Sequence, residues 1–335
     1  MALADVSGGS TGAARHVPLG PGDVLVLRAL GLGDALTAVA ALRGVRRAWP
    51  DRRVVLAGPE PLGRWFAGLG VVDTVVEAVG LAPLSVGGRG GHVAVDLHGR
   101  GPQSHRLLTA TRPARLVAFA CPAASHPSRP DDVAPTWRDD EHEVERWCRL
   151  VRAAGGACDA EDLRLAVEPS PDARDAVLLH PGAASGARRW PVERWRTVAR
   201  RLVAAGHRVL VTGSAPERDL CAAVVEGIPG AQAVAGRSEL PELAALVAGC
   251  RLLVCGDTGV AHLATAVGAP SVLLFGPTAP AEWGPAVDVE RHVVLWHGDG
   301  SGDPHGADVD PALAAITVDE VLAAAGSVLA GVATG

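Results

Sequence analysis

Polar residues that could do chemistry gather at four points, each where an apolar run gives way to glycine. The first is Gly256-Asp257-Thr258-Gly259-Val260-Ala261-His262, which follows the apolar run Leu252–Cys255. A buried strand, a tight turn and a helix start in that order gather unpaired N–H groups and the positive end of the helix dipole near Thr258 and Gly259. Such a place seats a diphosphate. Thr258 can cap and donate, Gly259 lets the backbone come close, and His262 falls on the same helical face as Thr258. The plainer alternative is an ordinary helix cap, because Asp and Thr are common there.

The second point is His180-Pro181-Gly182-Ala183-Ala184-Ser185-Gly186-Ala187-Arg188-Arg189-Trp190-Pro191. Small residues leave backbone amides accessible, and an arginine neutralises phosphate through paired hydrogen bonds. Ser185 and Arg188 are the donor-side candidates here; a solvated loop in an arginine-rich chain is the alternative. The third is Arg28-Ala29-Leu30-Gly31-Leu32-Gly33-Asp34. It breaks the dinucleotide fingerprint: no third glycine follows, and an acid stands where pyrophosphate would sit. An acid at a strand-to-helix turn suits a general base instead, with an N-cap aspartate as the alternative. The fourth is Asp96-Leu97-His98-Gly99-Arg100. Gly33, Asp96 and His98 are the candidates for meeting an acceptor, although a plain turn is the better reading of the fourth segment alone.

The run His297-Gly298-Asp299-Gly300-Ser301-Gly302-Asp303-Pro304-His305 invites a metal. It lacks the acid that a calcium loop needs at its twelfth position, so the stretch 298–310 is read as a mobile acidic loop. No metal site and no resident cofactor are expected.

Strands and helices must position these groups. Asp23–Arg28, Arg53–Ala57, Asp73–Glu77, His92–Leu97 and Ala114–Ala120 are read as strands, with a helix from about Asp34 to Ala48. Cys121–Arg138 is loop, Glu141–Ala154 has helical spacing, and Asp159–Asp175 is the candidate linker. A second block holds strands at Ala176–His180, Arg208–Thr212, Gln232–Ala235, Leu252–Cys255, Ser271–Phe275 and His292–Trp296. Helices start at Trp190-Pro191 and span Pro216–Glu226, Pro241–Ala248, Thr258–Val267 and Val318–Val332. Strands alternating with helices imply parallel sheets with right-handed crossovers, hence α/β class with two Rossmann-like halves, 20–160 and 170–315.

Composition narrows the class. The chain has 335 residues, 48% hydrophobic and 20% charged, so it can bury two cores. Its net charge of −6 and lack of basic runs argue against nucleic acid as a partner. Its positive charge is all arginine, which lowers the weight of any single Arg. Six cysteines form no CxxC pair or zinc spacing and are read as buried thiols of a reducing, cytoplasmic compartment. Met1–Gly20 does not read as a signal peptide, and no run approaches the roughly 18–20 apolar residues of a membrane span. Peripheral contact at the inner face of a membrane stays compatible with this.

Taken together, these residues resemble glycosyltransferase family 9, the heptosyltransferase group. Four segments carry the resemblance, in order and spacing: Gly31-Leu32-Gly33-Asp34; Asp96-Leu97-His98-Gly99; His180-Pro181-Gly182 through Arg188-Arg189-Trp190-Pro191; and Gly256–His262 with Phe275-Gly276-Pro277-Thr278. The resemblance implies a GT-B fold, with an acceptor-binding N-terminal domain and a nucleotide-sugar-binding C-terminal domain facing across a cleft. It implies a terminal helix, 316–332, that packs back on the N-terminal domain. Asp34 matches the family's general base. Arg188 matches a basic residue, usually Lys, that holds the donor diphosphate, and Asp257, Thr258, Gly259 and His262 match the donor motif. Glu242 is a weak match to an acid that holds the donor ribose. The activity so implied is inverting, metal-independent transfer of heptose or a related sugar. The donor would be ADP-linked, and the acceptor a hydroxyl of a glycan, glycolipid or small molecule. A nucleotide-sugar 2-epimerase or a non-catalytic binding module on the same fold are the alternatives.

Overall fold

Short runs of leucine and β-branched residues become strands buried on both faces, as parallel strands covered by helices must be. The computed structural model describes residues 17–332. The N-terminal half contains β1 (Val17–Leu19), β2 (Asp23–Leu27), α1 (Leu32–Thr37), α2 (Val39–Ala48), β3 (Arg53–Gly58), α3 (Glu60–Gly68), β4 (Thr74–Glu77), β5 (Val86–Gly88), β6 (Val93–Asp96), α4 (Gln103–Ala110), β7 (Arg115–Val117) and α5 (Glu143–Ala153). The C-terminal half contains β8 (Ala176–His180), α6 (Val192–Ala204), β9 (Arg208–Val211), α7 (Arg218–Val225), β10 (Ala231–Ala233), α8 (Leu240–Gly249), β11 (Leu252–Gly256), α9 (Gly259–Val267), β12 (Ser271–Leu274), α10 (Pro280–Trp283), β13 (His292–Leu295), α11 (Pro311–Ala315) and α12 (Val318–Val332).

Two parallel sheets result. The first has the order β4-β3-β2-β6-β7, the second β10-β9-β8-β11-β12-β13. Register aligns the strand ends that matter. Leu27 pairs with both Ala57 and Asp96, so β2 and β6 deliver Arg28 and Leu97-His98 to one edge. His180 pairs with Cys255, so β8 and β11 deliver their loops side by side. Each half reverses its winding at its first core strand, β2 or β8, the crevice where open α/β sheets take ligands.

Several sequence expectations are corrected. The helix expected from Asp34 to Ala48 is two helices broken at Ala38, whose N–H bonds Ala35 O (3.2 Å) rather than Asp34 O. The Asp34 carbonyl is already taken by the Thr37 hydroxyl (2.8 Å) and Arg28 Nε (2.8 Å). Helices α3 and α4 fill connections that had no assigned structure, and β1 pairs with β5 in a separate two-stranded sheet. The terminal helix does not cross to the first half. Val321, Ala325 and Leu329, one turn apart, bury against the C-terminal half's own core with Trp195 and Val272. Cys148 and Cys158 are not free thiols. The chain reverses after α5 through Gly155 (φ +96°), bringing their Cα atoms to 5.2 Å, and they form a disulfide. Cys121, Cys221, Cys250 and Cys255 are buried thiols.

Candidate functional site

At the C-terminal sheet edge, Thr258 caps α9 and its hydroxyl accepts from Val260 N–H (3.3 Å). Asp257 is buried, and Arg188 reaches it twice: Nη1 donates to Asp257 O (3.3 Å) and lies 4.0 Å from Oδ2. Burial pushes the Asp257 carboxyl above its ordinary range, while Arg188 and a hydrogen bond from Thr278 oppose that rise. Asp257 therefore holds Arg188 and the loop at Thr278, while Arg188 keeps 22% of its side chain open to meet an anion. Ser185 stands behind Arg188: its Oγ accepts from Arg188 Nε (3.4 Å) and donates to Pro304 O (2.6 Å).

That last bond ties down the stretch 298–310, which is not the free loop its composition suggested. Ala187 N–H donates to Gly306 O (3.0 Å), and Asp310 N–H donates to Ala187 O (3.1 Å). The approach needs glycine at 186, where a Cβ would lie 1.6 Å from Ala307 O.

Beside this seat is a cavity of about 290 Å³ lined by His180, Thr212, Ser214, Glu217, Leu243 and Val260 among others. The sequence reading missed it. Glu242, the weak ribose match, is exposed and caps α8 by accepting from Glu239 N–H (2.8 Å). Glu217 is the acid that faces the cavity. Burial works to raise its pKa, but bonds from Ser214 (2.7 Å each from N and Oγ) and the nearby Arg189 charge hold it below the ordinary range. Glu217 also follows a strand-end turn, Gly213-Ser214, so the signal was present without a flanking motif to single it out.

At the N-terminal sheet edge, Asp34 lies in α1 with about a third of its side chain exposed. Arg28 lies beneath it, 1% exposed, with Nη2 3.6 Å from Asp34 Oδ1. His98 stands on the neighbouring strand end. Its Nδ1 accepts from Ala29 N–H (3.2 Å), which places the proton of the neutral ring on Nε2. Burial lowers the His98 pKa, against the charges of Asp96 and Asp34. Asp96 is corrected as an acceptor contact. It is wholly buried, accepts from His98 N–H (2.9 Å) and pairs with His105 Nδ1 (3.1 Å). Burial disfavours the charged His105 ring, but Asp96 and the Phe119 carbonyl (2.8 Å) outweigh it and raise its pKa. Asp96 therefore shapes the turn that presents His98.

The two edges touch. A Cβ on Gly33 would lie 2.8 Å from His262 Cδ2, and one on Gly259 would lie 2.9 Å from Leu32 Cβ and 3.0 Å from Gly33 N. Only glycines at both places allow this approach. His142, at the start of α5, bonds Gly284 O across the same junction (3.0 Å). One apolar cluster runs from Leu36 and Leu42 to Val260 and Ala264, and the void left at the junction is about 10 Å³. Desolvation there drives the His262 pKa down to about 4, with the charge of Asp34 working against the shift. Its ring meets Trp283 edge-on at 5.9 Å.

Two Rossmann-like α/β halves with parallel sheets, whose strand-end loops meet each other, give the GT-B architecture. The chain belongs to glycosyltransferase family 9 (heptosyltransferase), whose sequence profile matches residues 131–301. Lipooligosaccharide heptosyltransferase 2 of Haemophilus influenzae is 31% identical over 166 residues, 45% of this chain and 48% of the relative. Lipopolysaccharide heptosyltransferase 1 of Pseudomonas aeruginosa is 40% identical over 114 residues, 34% of this chain and 32% of the relative. The chain thus matches half or less of the length of these curated relatives. The fold extends further. The structure of Escherichia coli ADP-heptose lps heptosyltransferase II superposes with a TM-score of 0.73 at 18% identity, covering 92% of this chain and 99% of that one. Escherichia coli heptosyltransferase WaaC with ADP gives 0.70 at 19% identity, covering 91% and 99%.

Proposed function

We propose that this protein is an inverting glycosyltransferase that moves a sugar, heptose or a close relative, from an ADP-linked donor to an acceptor hydroxyl. The observation that carries the reading is the meeting of Gly33 and Gly259, which brings Asp34 near enough to the start of α9 for its charge, like that of Arg188, to act on His262. The donor diphosphate lies on the Arg188 guanidinium and the amides at Thr258 and Gly259. The nucleoside enters the cavity at Glu217, whose carboxylate accepts from ribose hydroxyls. An ADP donor is supported by the ADP in the WaaC relative's structure.

Asp34 takes the proton of the acceptor hydroxyl as that oxygen attacks the anomeric carbon. The bond to the diphosphate breaks on the opposite face, so configuration inverts in one step. Charge grows on the leaving diphosphate, where Arg188 and the helix-start amides are already aimed, and those groups supply the stabilisation. His98, through Nε2–H, orients the acceptor. The acceptor is a glycan, a glycolipid or a small hydroxylated molecule; a lipid-linked one would be met at the inner face of a membrane. Among the described residues no helix is long and apolar enough to cross a membrane.

The test is binding. In a thermal-shift panel of ADP-, UDP-, GDP- and dTDP-sugars, ADP-heptose is expected to raise Tm most. The stabilisation follows RT ln(1 + [L]/Kd), about 2.7 kcal/mol at a hundredfold excess over Kd. Arg188→Ala should weaken that binding about 10–100-fold, the worth of charge-assisted hydrogen bonds. A flat panel, or an Arg188→Ala protein that binds as well as wild type, contradicts the reading.

A further inference from the structure

We propose that Arg28 is a positioning residue for Asp34: its buried fork holds open the helical turn that carries the carboxylate and so sets where the reacting oxygen stands. The inference rests on Asp34 being the base.

Arg28 is too deeply buried to touch either substrate, so any part it has in transfer is exerted through another group. Its donors run to four acceptors on three separate segments: α1, the turn after β6 and α5. Nε bonds the Asp34 carbonyl (2.8 Å), Nη1 the Leu97 carbonyl, and Nη2 both Thr37 Oγ1 (3.2 Å) and Glu143 Oε1 (3.0 Å). The first bond is the telling one. In a continuous helix the Asp34 carbonyl would receive Ala38 N–H. Here Arg28 and the Thr37 hydroxyl occupy it, Ala38 turns back to Ala35, and the helix breaks directly after the turn that bears Asp34. A guanidinium that only balanced Glu143 would have no reason to take that carbonyl.

The fork cannot drift. Its face lies over the Trp147 ring (4.8 Å to the centroid), and Trp147 Nε1 donates to the same Glu143 oxygen (2.8 Å). Glu143 is gripped from its far side by Arg146, which also bonds the carbonyls of Arg138, Asp139 and Glu141. Burial works to raise the Glu143 pKa, yet Arg28 and Arg146 hold it below its ordinary range, so it anchors as a carboxylate. The chain of contacts is α5, Glu143, Arg28, then the turn of Asp34. Lysine would keep the charge but not the planar fork that spans these directions.

The experiment compares Arg28→Lys, Asp34→Asn and the double variant, following ADP release from ADP-heptose with water as acceptor, with donor affinity measured separately. A misplaced reacting group costs up to about 100-fold in rate. Arg28→Lys is expected to lower turnover about 10–100-fold while Kd for ADP-heptose moves less than about twofold. The double variant should be no slower than Asp34→Asn alone, because Arg28 acts only through Asp34. Thr37→Val, which removes the second hold on the Asp34 carbonyl and disturbs folding less, should give a smaller loss of the same kind. Wild-type turnover in both Arg28→Lys and Thr37→Val, or losses that multiply in the double variant, would overturn the inference. Asp34→Asn turning over like wild type would instead overturn the base assignment on which it rests.

Discussion

His262 and His292 are both held neutral by burial, with pKa values pushed down to about 4 from 6.5. His292 Nδ1 bonds Ser271 Oγ (2.8 Å) and its Nε2 is buried without a partner, so a second proton has no place to go. Between pH 6.5 and 4 the unfolded chain binds protons at these rings that the folded chain does not. The stability they lend is therefore complete above pH 6.5 and lost as pH falls toward 4, at up to about 1.4 kcal/mol per pH unit for each ring. His105, with its raised pKa, acts in the opposite sense and recovers part of the loss. Urea midpoints taken from pH 7 to pH 4.5 should fall, and His292→Gln should flatten the fall. A midpoint indifferent to acid contradicts the burial of these rings. Single residues differed in how legible they were. Asp34, Arg188, Thr258 and His262 could be picked out because each follows a strand end and sits in a recognisable string. Arg28 could not be assigned a role, because its meaning is a contact with Glu143, 115 residues away. Asp96 misled for a related reason, since an acid at a strand end reads the same whether it faces the cleft or the core.

Among the elements, α1 and α9 matter most, because their starts are pressed together through Gly33 and Gly259. A methyl at 259 would meet Leu32 Cβ at 2.9 Å and the backbone of Gly33 at 3.0 Å. Backbone cannot swing aside as a side-chain tip can, so the helices must part. Gly259→Ala should thus cut turnover of ADP-heptose by about 10–100-fold through misplacement of Asp34 against the donor. The protein should remain folded, with a circular dichroism spectrum like that of wild type. Unchanged turnover would mean that the contact is not part of the reacting arrangement. Strand positions were legible from apolar runs, because parallel strands buried on both faces have no other way to read. Helix breaks and helix packing were not. The break at Ala38 comes from bonds to Arg28 and Thr37 that no local propensity encodes, and α12 packs on its own half through spacing that would serve either half equally.

For the whole molecule, two sheets of parallel strands could be derived from alternation alone, and that they face each other was implied by the family resemblance. What could not be derived is how closely they face. The continuous apolar cluster from Leu36 to Ala264 and the bond from His142 to Gly284 O join the halves at this junction, and the stretch 298–310 is strapped over the Ser185–Arg188 loop. These are long-range matters of shape, decided by glycines whose neighbours are far off in sequence. The central claim is that this closed arrangement lets Asp34 take a proton as the sugar leaves its diphosphate. It is tested most directly by the rate of ADP release from ADP-heptose by wild type and Asp34→Asn, under conditions where both bind donor. Asp34→Asn is expected to bind ADP-heptose with nearly wild-type affinity and to release ADP about 10²–10⁴-fold more slowly, the worth of a positioned base. Equal rates at equal occupancy would contradict it.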